Sequence, residues 1–360
     1  MRYVGSKPLK RLEEYRVKGA SKEHQRTLLL PVSCGVSSVT LLHLLDQQLQ
    51  NQVVHTGRTG FILHVLLVDT SREEDDAPNT GQLEILKERY PRHTYTALTL
   101  GDVFEYRLDS AEGVLDLLPQ GDSKGIPASD SNQARLQEFL SSLPSATSRS
   151  DVLGVLRTRL IVAFAKAKGC ESILWGDSTT RLAEKTLAET AKGRGFSLPW
   201  RTGEGASPYG VYCNYPLRDL LKKELLTFSE LTLPPLTSLI MKRTSSTQVS
   251  ASAKNTTIDD LMSQYFESVE LNYPSIVANV VRTASKLGAP QSPSRDMDCG
   301  LCGLPILDGK GGIYSWAGNQ RSETEPSTPW SADPLTTPEL CYGCARTMHG
   351  AKANGTTLPS

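Results

Sequence analysis

The sequence predicts an α/β fold: a parallel sheet of about five strands with helices on both faces, followed by a small C-terminal unit that carries four cysteines. Three observations support this. Apolar runs of strand length recur at residues 28–32, 61–68, 94–100, 172–175 and 211–217. Segments of helical period separate them, the alternation expected when helices cover both faces of a parallel sheet. A turn of small residues, 33–38, stands between the first run and the first helical segment, where an α/β protein presents backbone N–H groups and a helix N-terminus to an anion.

Taken in order, Leu28, Leu29, Leu30, Pro31 and Val32 form a continuous apolar run, the mark of a strand buried on both sides. Residues 39–50 place Leu42, Leu45 and Leu49 on one helical face, and residues 82–90 form a second helical segment before the third run. Ahead of the fourth run, Leu153, Leu156, Leu160, Phe164 and Ala167 form a stripe at spacings of three and four. Ligands in such folds sit beyond the carboxyl ends of the strands, where the turn at Ser33 is expected. Two stretches interrupt the pattern: 108–150, rich in Ser, Asp, Gly and Pro, and 243–257, both read as polar surface insertions. A Pro/Ser segment at 289–295 marks a boundary. The expected organisation is a basic helical segment at 1–27, an α/β domain at 28–290, a cysteine unit at 291–350 and a tail at 351–360.

Lysine plus arginine and aspartate plus glutamate number 39 each, so no global positive field draws the chain of 360 residues onto nucleic acid. RNA contact has to be local. The N-terminus is one candidate: Arg2, Lys7, Lys10, Arg11, Arg16, Lys18, Lys22 and Arg26 face only Glu13, Glu14 and Glu23. Lys10 and Arg11 there, with Arg194 and Arg218 near the loop face, are the candidate RNA contacts; a solvated helix is the alternative. No apolar run approaches the roughly 18–20 residues that span a bilayer, and the N-terminus is too polar for a secretory signal, so a cytoplasmic protein without membrane contact is expected.

Four of the seven cysteines form C-x2-C-x38-C-x2-C: Cys299, Cys302, Cys341 and Cys344. Each pair is a tight turn that can aim two thiolates at one tetrahedral ion, so a structural zinc (Zn2+) site is expected, in a zinc-ribbon-like unit. An iron–sulfur cluster is the other occupant such a set allows. A closed four-thiolate site has no open coordination position, which implies a scaffold role for the metal. Cys34, Cys170 and Cys213 read as small buried residues, and the six histidines show no ligand spacing.

Ser33, Gly35 and Ser38 match the S-G-G-x-D-S pyrophosphate loop (PP-loop) of the ATP pyrophosphatase superfamily, while Cys34 replaces its first glycine and Ser37 its aspartate. Further motifs follow in order. Gly154-Val155-Leu156-Arg157 resembles part of the C-x-x-C-G-x-x-R-R block of active wobble-uridine thiolases. Trp175-Gly176-Asp177-Ser178 through Ala183-Glu184-Lys185-Thr186-Leu187 resembles their G-H-N-x-D-D-x-A-E-T-x-L block. Pro216-Leu217-Arg218 resembles a P-L-[KR] segment, and Tyr273-Pro274-Ser275-Ile276-Val277 through Leu287 resembles a helical closing segment before the cysteine quartet. Over nearly its whole length the chain resembles the cytoplasmic tRNA 2-thiolation protein 2 family, a degenerate PP-loop relative.

The departures from the active pattern bear on function. The cysteines of the C-x-x-C block fall on Ser150 and Leu153, and the histidine and aspartates of the next block on Asp177, Thr180 and Arg181. No catalytic residue is therefore assigned, and the degenerate loop Ser33, Cys34, Gly35, Ser37 and Ser38 puts ATP binding in doubt. The resemblance implies a non-catalytic subunit that forms a heterodimer with the active thiolase and binds tRNA. Its complex takes sulfur from a thiocarboxylated ubiquitin-related modifier and modifies the wobble uridine of tRNA Lys, Glu and Gln. It also implies a cysteine-containing segment ahead of Met1, so a shortened form is expected. Two alternatives stand beside this reading: an ATP-dependent enzyme in its own right, with Ser37 and Ser38 on the phosphates and Cys34 as a low-pKa nucleophile, or an adaptor that attaches the modifier to proteins.

Overall fold

A computed structural model describes residues 2–17, 25–74, 80–106, 108, 128–241, 256–288, 298–306, 340–349, 352–353 and 356–357. Most of the stretch 243–257, the boundary 289–295, the loop between the two cysteine pairs and much of the tail lie outside them.

The chain runs α1 (Arg2–Arg11), β1 (Arg26–Val32), α2 (Val36–Thr56), β2 (Phe61–Asp69), α3 (Ser71–Glu74), α4 (Thr80–Arg89), β3 (Thr94–Thr99), α5 (Ala128–Ser142), α6 (Ala146–Ala167) and β4 (Ser172–Leu174). It continues through α7 (Thr179–Ala191), α8 (Leu198–Thr202), β5 (Gly205–Ala206), β6 (Tyr212–Asn214), α9 (Lys222–Leu231), α10 (Ile258–Asn272), α11 (Pro274–Ala284) and α12 (Tyr342–Met348). The strand order is β3-β2-β1-β4-β6-β5. Five strands are parallel, as expected from the runs, and β5 adds a short antiparallel edge on β6. A two-residue strand leaves no periodic trace in sequence.

Successive side chains of β1 point to opposite faces, so its apolar run feeds two cores. Leu28, Leu30 and Val32 pack with Leu41, Leu42 and Leu45 of α2 and Leu225 and Phe228 of α9. Leu29 on the other face packs with Ile161, Val162 and Phe164 of α6. The N-terminal segment joins the first core through Val4, Leu12 and Tyr15. Burying Leu12 and Tyr15 contributes about 2 kcal/mol each, against about 0–1 kcal/mol for a surface ion pair. The basic residues described there, such as Lys10 and Arg11, therefore ride on a docked strap and not on a solvated helix.

Two expectations need correction. The second half of the stretch read as an insertion, 108–150, is helical: Leu136, Phe139, Leu140 and Leu143, a period the polar composition masked, are buried. The cysteine segments also do not build a separate core among the described residues. Cys299, Leu301, Cys302, Leu304, Cys341, Cys344 and Met348 share one cluster with Leu100, Val103, Val152 and Leu156 of the α/β domain.

Candidate functional site

The strand order reverses beside β1: the chain goes outward to β2 and β3, then crosses back to β4 on the other side. The crevice beyond the carboxyl ends of β1 and β4 is the topological switch point, the usual ligand position of such sheets. The turn 33–38 lies there. So does Gly176, where a Cβ would sit 3.1 Å from the Cα of Ser38.

The turn is built around Cys34 and Gly35, and several of its polar groups bond within it. Cys34 has φ 54°, the left-handed region that glycine enters without strain. Its side chain is fully buried, and burial pushes the thiol up to about 11. The low-pKa nucleophile considered from sequence is thereby overturned: helix proximity favours the thiolate, but loss of water outweighs it. Gly35 caps α2 in an extended conformation. The Ser38 hydroxyl donates to the Gly35 carbonyl at 3.1 Å and accepts the Ser33 N–H at 3.4 Å, so both polar groups are used inside the turn. Ser33 is exposed and Ser37 half-buried. Residues 236–241 lie against the turn. Met241 donates its N–H to the Cys34 carbonyl at 2.9 Å, Gln82 bonds the Leu239 carbonyl at 2.6 Å, and Leu236 and Leu239 share a core with Cys34 and Val36.

The second block is likewise committed to structure. Asp177 pairs with Lys185, the Thr180 hydroxyl donates to Glu270 at 2.8 Å, and Arg181 pairs with Glu184 at 2.8 Å. Leu153 packs in the apolar core.

Two of the four RNA candidates are corrected. Arg194 has no exposed surface, and Arg218 is buried with its guanidinium 3.1 Å from Glu204. Neither reaches a phosphate. Arg11 is half-buried between Glu204 at 2.7 Å and Asp219 at 2.6 Å. Lys10 is exposed, whereas Lys18 and Lys22 lie outside the described residues.

The cysteine quartet does converge. The four Sγ atoms lie within 4.8 Å of one another, all buried. Cys302 Sγ is 3.9 Å from Cys341 Sγ, far beyond the about 2.05 Å of a disulfide and close to the about 3.8 Å edge of a sulfur tetrahedron built on 2.3 Å metal–sulfur bonds. The N–H groups of Cys302 and Cys341 point at Cys299 Sγ at 3.5 and 3.3 Å. Gly303, at φ 70°, closes the first knuckle by donating to the Cys299 carbonyl. Hydrogen bonds from the other three thiols hold Cys299 well below the usual thiol range, while the Cys299 and Cys302 sulfurs push Cys341 and Cys344 up. Four thiolates in one buried pocket repel one another and cannot all be ionised without a cation between them, so the donor set fits a dication.

What holds the quartet was not legible in sequence. Arg159 donates to the Gly300 and Leu301 carbonyls at 2.7 and 2.8 Å, and Tyr209 to the Cys302 carbonyl at 2.9 Å. Arg194 grips both oxygens of Asp151 on α6. Burial alone would raise the Asp151 carboxyl, but the Arg194 and Lys192 charges and the Thr347 hydroxyl hold it well below the usual carboxylate range. Asp151 and Arg159 lie on α6 beside the Ser150 to Arg157 block, but Arg194, Tyr209 and Thr347 come from other segments with no motif in common.

Among the described residues no helix is long and apolar enough to cross a membrane. The family model described as Cytoplasmic tRNA 2-thiolation protein 2 matches residues 257–346, which include all four cysteines of the quartet. The chain is 50% identical over 349 residues to the curated Cytoplasmic tRNA 2-thiolation protein 2 of Phaeosphaeria nodorum, covering 96% of this chain and 88% of that one. It is 46% identical to the protein of the same name from Pyrenophora tritici-repentis, covering 98% and 90%. Among solved structures, the U34-tRNA thiolase NcsA from Methanococcus maripaludis with its [4Fe-4S] cluster matches with TM-score 0.50 and 14% identity, over 88% of this chain and 89% of that one. That likeness is one of fold.

Proposed function

Because the chain belongs to the cytoplasmic tRNA 2-thiolation protein 2 family, we propose that it acts in 2-thiolation of the wobble uridine of tRNA Lys, Glu and Gln, as the non-catalytic subunit of a cytosolic heterodimer. The active thiolase subunit carries the ATP chemistry, and a thiocarboxylated ubiquitin-related modifier supplies the sulfur. One observation supports the reading: a parallel sheet with a turn of small residues at its switch point persists, while Cys34, Ser38, Asp177, Thr180 and Arg181 are spent on internal contacts. Cys34 is buried under the 236–241 segment, Ser38 and Ser33 bond each other, and Asp177, Thr180 and Arg181 hold Lys185, Glu270 and Glu184. The basic N-terminal strap, with Lys10 outward, is the proposed tRNA contact on this subunit.

In this reading the quartet holds one zinc ion. A cubane cluster carries each thiolate on a different iron and spreads the sulfurs apart, whereas four sulfurs within 4.8 Å suit a single tetrahedral ion. Bound there, the ion would cross-link two chain segments and do no chemistry.

The test is reconstitution. The purified chain, given MgATP, sulfur donor and tRNA, is expected to produce neither AMP and pyrophosphate nor 2-thiouridine; adding the thiolase subunit restores both, and omitting this chain abolishes them. Turnover by the chain alone, lost on Ser37→Ala, would overturn the proposal.

A further inference from the structure

The segment bearing Cys341 and Cys344 packs on the α/β domain around the buried guanidinium of Arg194, which also faces sulfur. We propose that Arg194 is the positioning residue of the four-thiolate site: locked by Asp151, it docks α12 and places its positive charge against the Cys344 thiolate, so that metal loading and docking of the C-terminal segment are one event. This rests on the metal reading above and goes beyond it by naming the residue that couples the metal to the fold.

The geometry is specific to Arg194. Among the described residues it is the largest side chain with no exposed surface. Nη1 and Nη2 donate to the two Asp151 oxygens in a fork, and Nη2 also lies 3.2 Å from the Thr347 hydroxyl and 3.7 Å from Cys344 Sγ. Thr347 in turn donates to Asp151 at 2.7 Å, tying α12 to α6. The fit leaves no slack: a Cβ on Gly343 would lie 2.3 Å from Arg194 Cγ, and one on Gly193 would lie 2.6 Å from the Tyr342 ring.

Charge pairing alone does not account for this placement. Lys192 Nζ already sits 3.2 Å from Asp151, so the carboxylate has a cation without Arg194. Only the planar guanidinium can grip a carboxylate with two N–H groups and still turn one toward a sulfur. A tetrathiolate around a dication carries a net charge of −2, and a buried anion of that size needs an opposite charge close by. Outer-shell partners that orient metal ligands typically matter by about 10–100-fold in metal affinity.

The experiment uses the full chain loaded with Co2+ as the probe. In Arg194→Met, the sulfur-to-cobalt charge-transfer band is expected at lower energy than in wild type, because the thiolate loses its neighbouring charge, and release of Co2+ to a chelator at least about tenfold faster. Arg194→Lys, which restores the charge without the fork, should recover the band position and leave release fast. Circular dichroism reports whether each variant retains the α/β domain. Should Arg194→Met not fold, Thr347→Val removes one tie of α12 and keeps the charge: an unchanged band with faster release supports the coupling, and unchanged release overturns it. Wild-type band position and release rate in Arg194→Met would also overturn it, leaving the metal reading intact. A wild-type chain that binds no Co2+ or Zn2+ refutes the metal reading and this inference together.

Discussion

The backbone N–H of Met241 donates to the carbonyl oxygen of Cys34 at 2.9 Å, which holds residues 236–241 against the turn after β1. Beneath that contact Cys34 is fully buried at φ 54° with its thiol pushed up to about 11. In the native protein at neutral pH, Cys34 should resist alkylation by iodoacetamide and react only after unfolding. Mass spectrometry of tryptic peptides, native against denatured, checks this; native labelling of Cys34 contradicts the closed turn.

The same backbone makes the substitutions at this position unequal. Cys34→Gly removes a buried thiol and relieves a left-handed residue, two effects of about 1 kcal/mol that oppose each other. Its midpoint in urea unfolding should stay near wild type. Cys34→Val places a β-branched side chain at positive φ and should destabilise by about 1–2 kcal/mol or more.

Asp151 gives the fold an acid-side dependence. Its carboxyl is held below the unfolded value of about 3.9, so its contribution is fully present above about pH 5 and is lost as pH falls through about 4 toward the depressed folded value. Asp151→Asn should remove that part of the pH slope in urea titrations between about pH 2 and 5. At neutral pH it should cost about 3–5 kcal/mol, because Arg194 loses its bidentate partner in a buried site. Stability equal to wild type at pH 7 would contradict this and show that Glu189, 3.7 Å from Arg194, suffices as its partner.

Gly343→Ala tests the docking of α12 without removing any charge or ligand. The added methyl meets the Cγ of Arg194, which packing and ion pairs prevent from moving. A loss of about 1–3 kcal/mol is expected, read as a lower thermal midpoint together with faster zinc loss. Gly154→Ala, at an open position in the middle of α6, serves as the control and should be neutral or up to about 1 kcal/mol stabilising.

Charge reversal at two adjacent N-terminal residues separates contact from scaffold. Lys10→Glu should leave stability unchanged and lower the log–log salt slope of tRNA binding by the complex by roughly one unit. Arg11→Glu, which loses Glu204 and Asp219, should in addition lower the thermal midpoint. Unaltered salt dependence in Lys10→Glu would remove the strap from the RNA interface.

The sequence by itself determined the parallel α/β fold and the four metal-ligand candidates, because both rest on local signals. Apolar runs such as 28–32 and stripes such as Leu153 to Phe164 are periodic over one element, and a C-x-x-C pair is a turn whose geometry is set by four residues. Tertiary structure alone decided which polar residues are free to act. Arg194 and Lys10 are both basic residues in hydrophilic surroundings along the chain, yet one has no exposed surface and the other is exposed. Likewise the turn at Cys34 reads as an open phosphate loop until residues 236–241 are seen lying on it. Burial, ion pairing and closure depend on neighbours far away in sequence. Their free energy comes from excluding water between surfaces that meet only once the chain has folded.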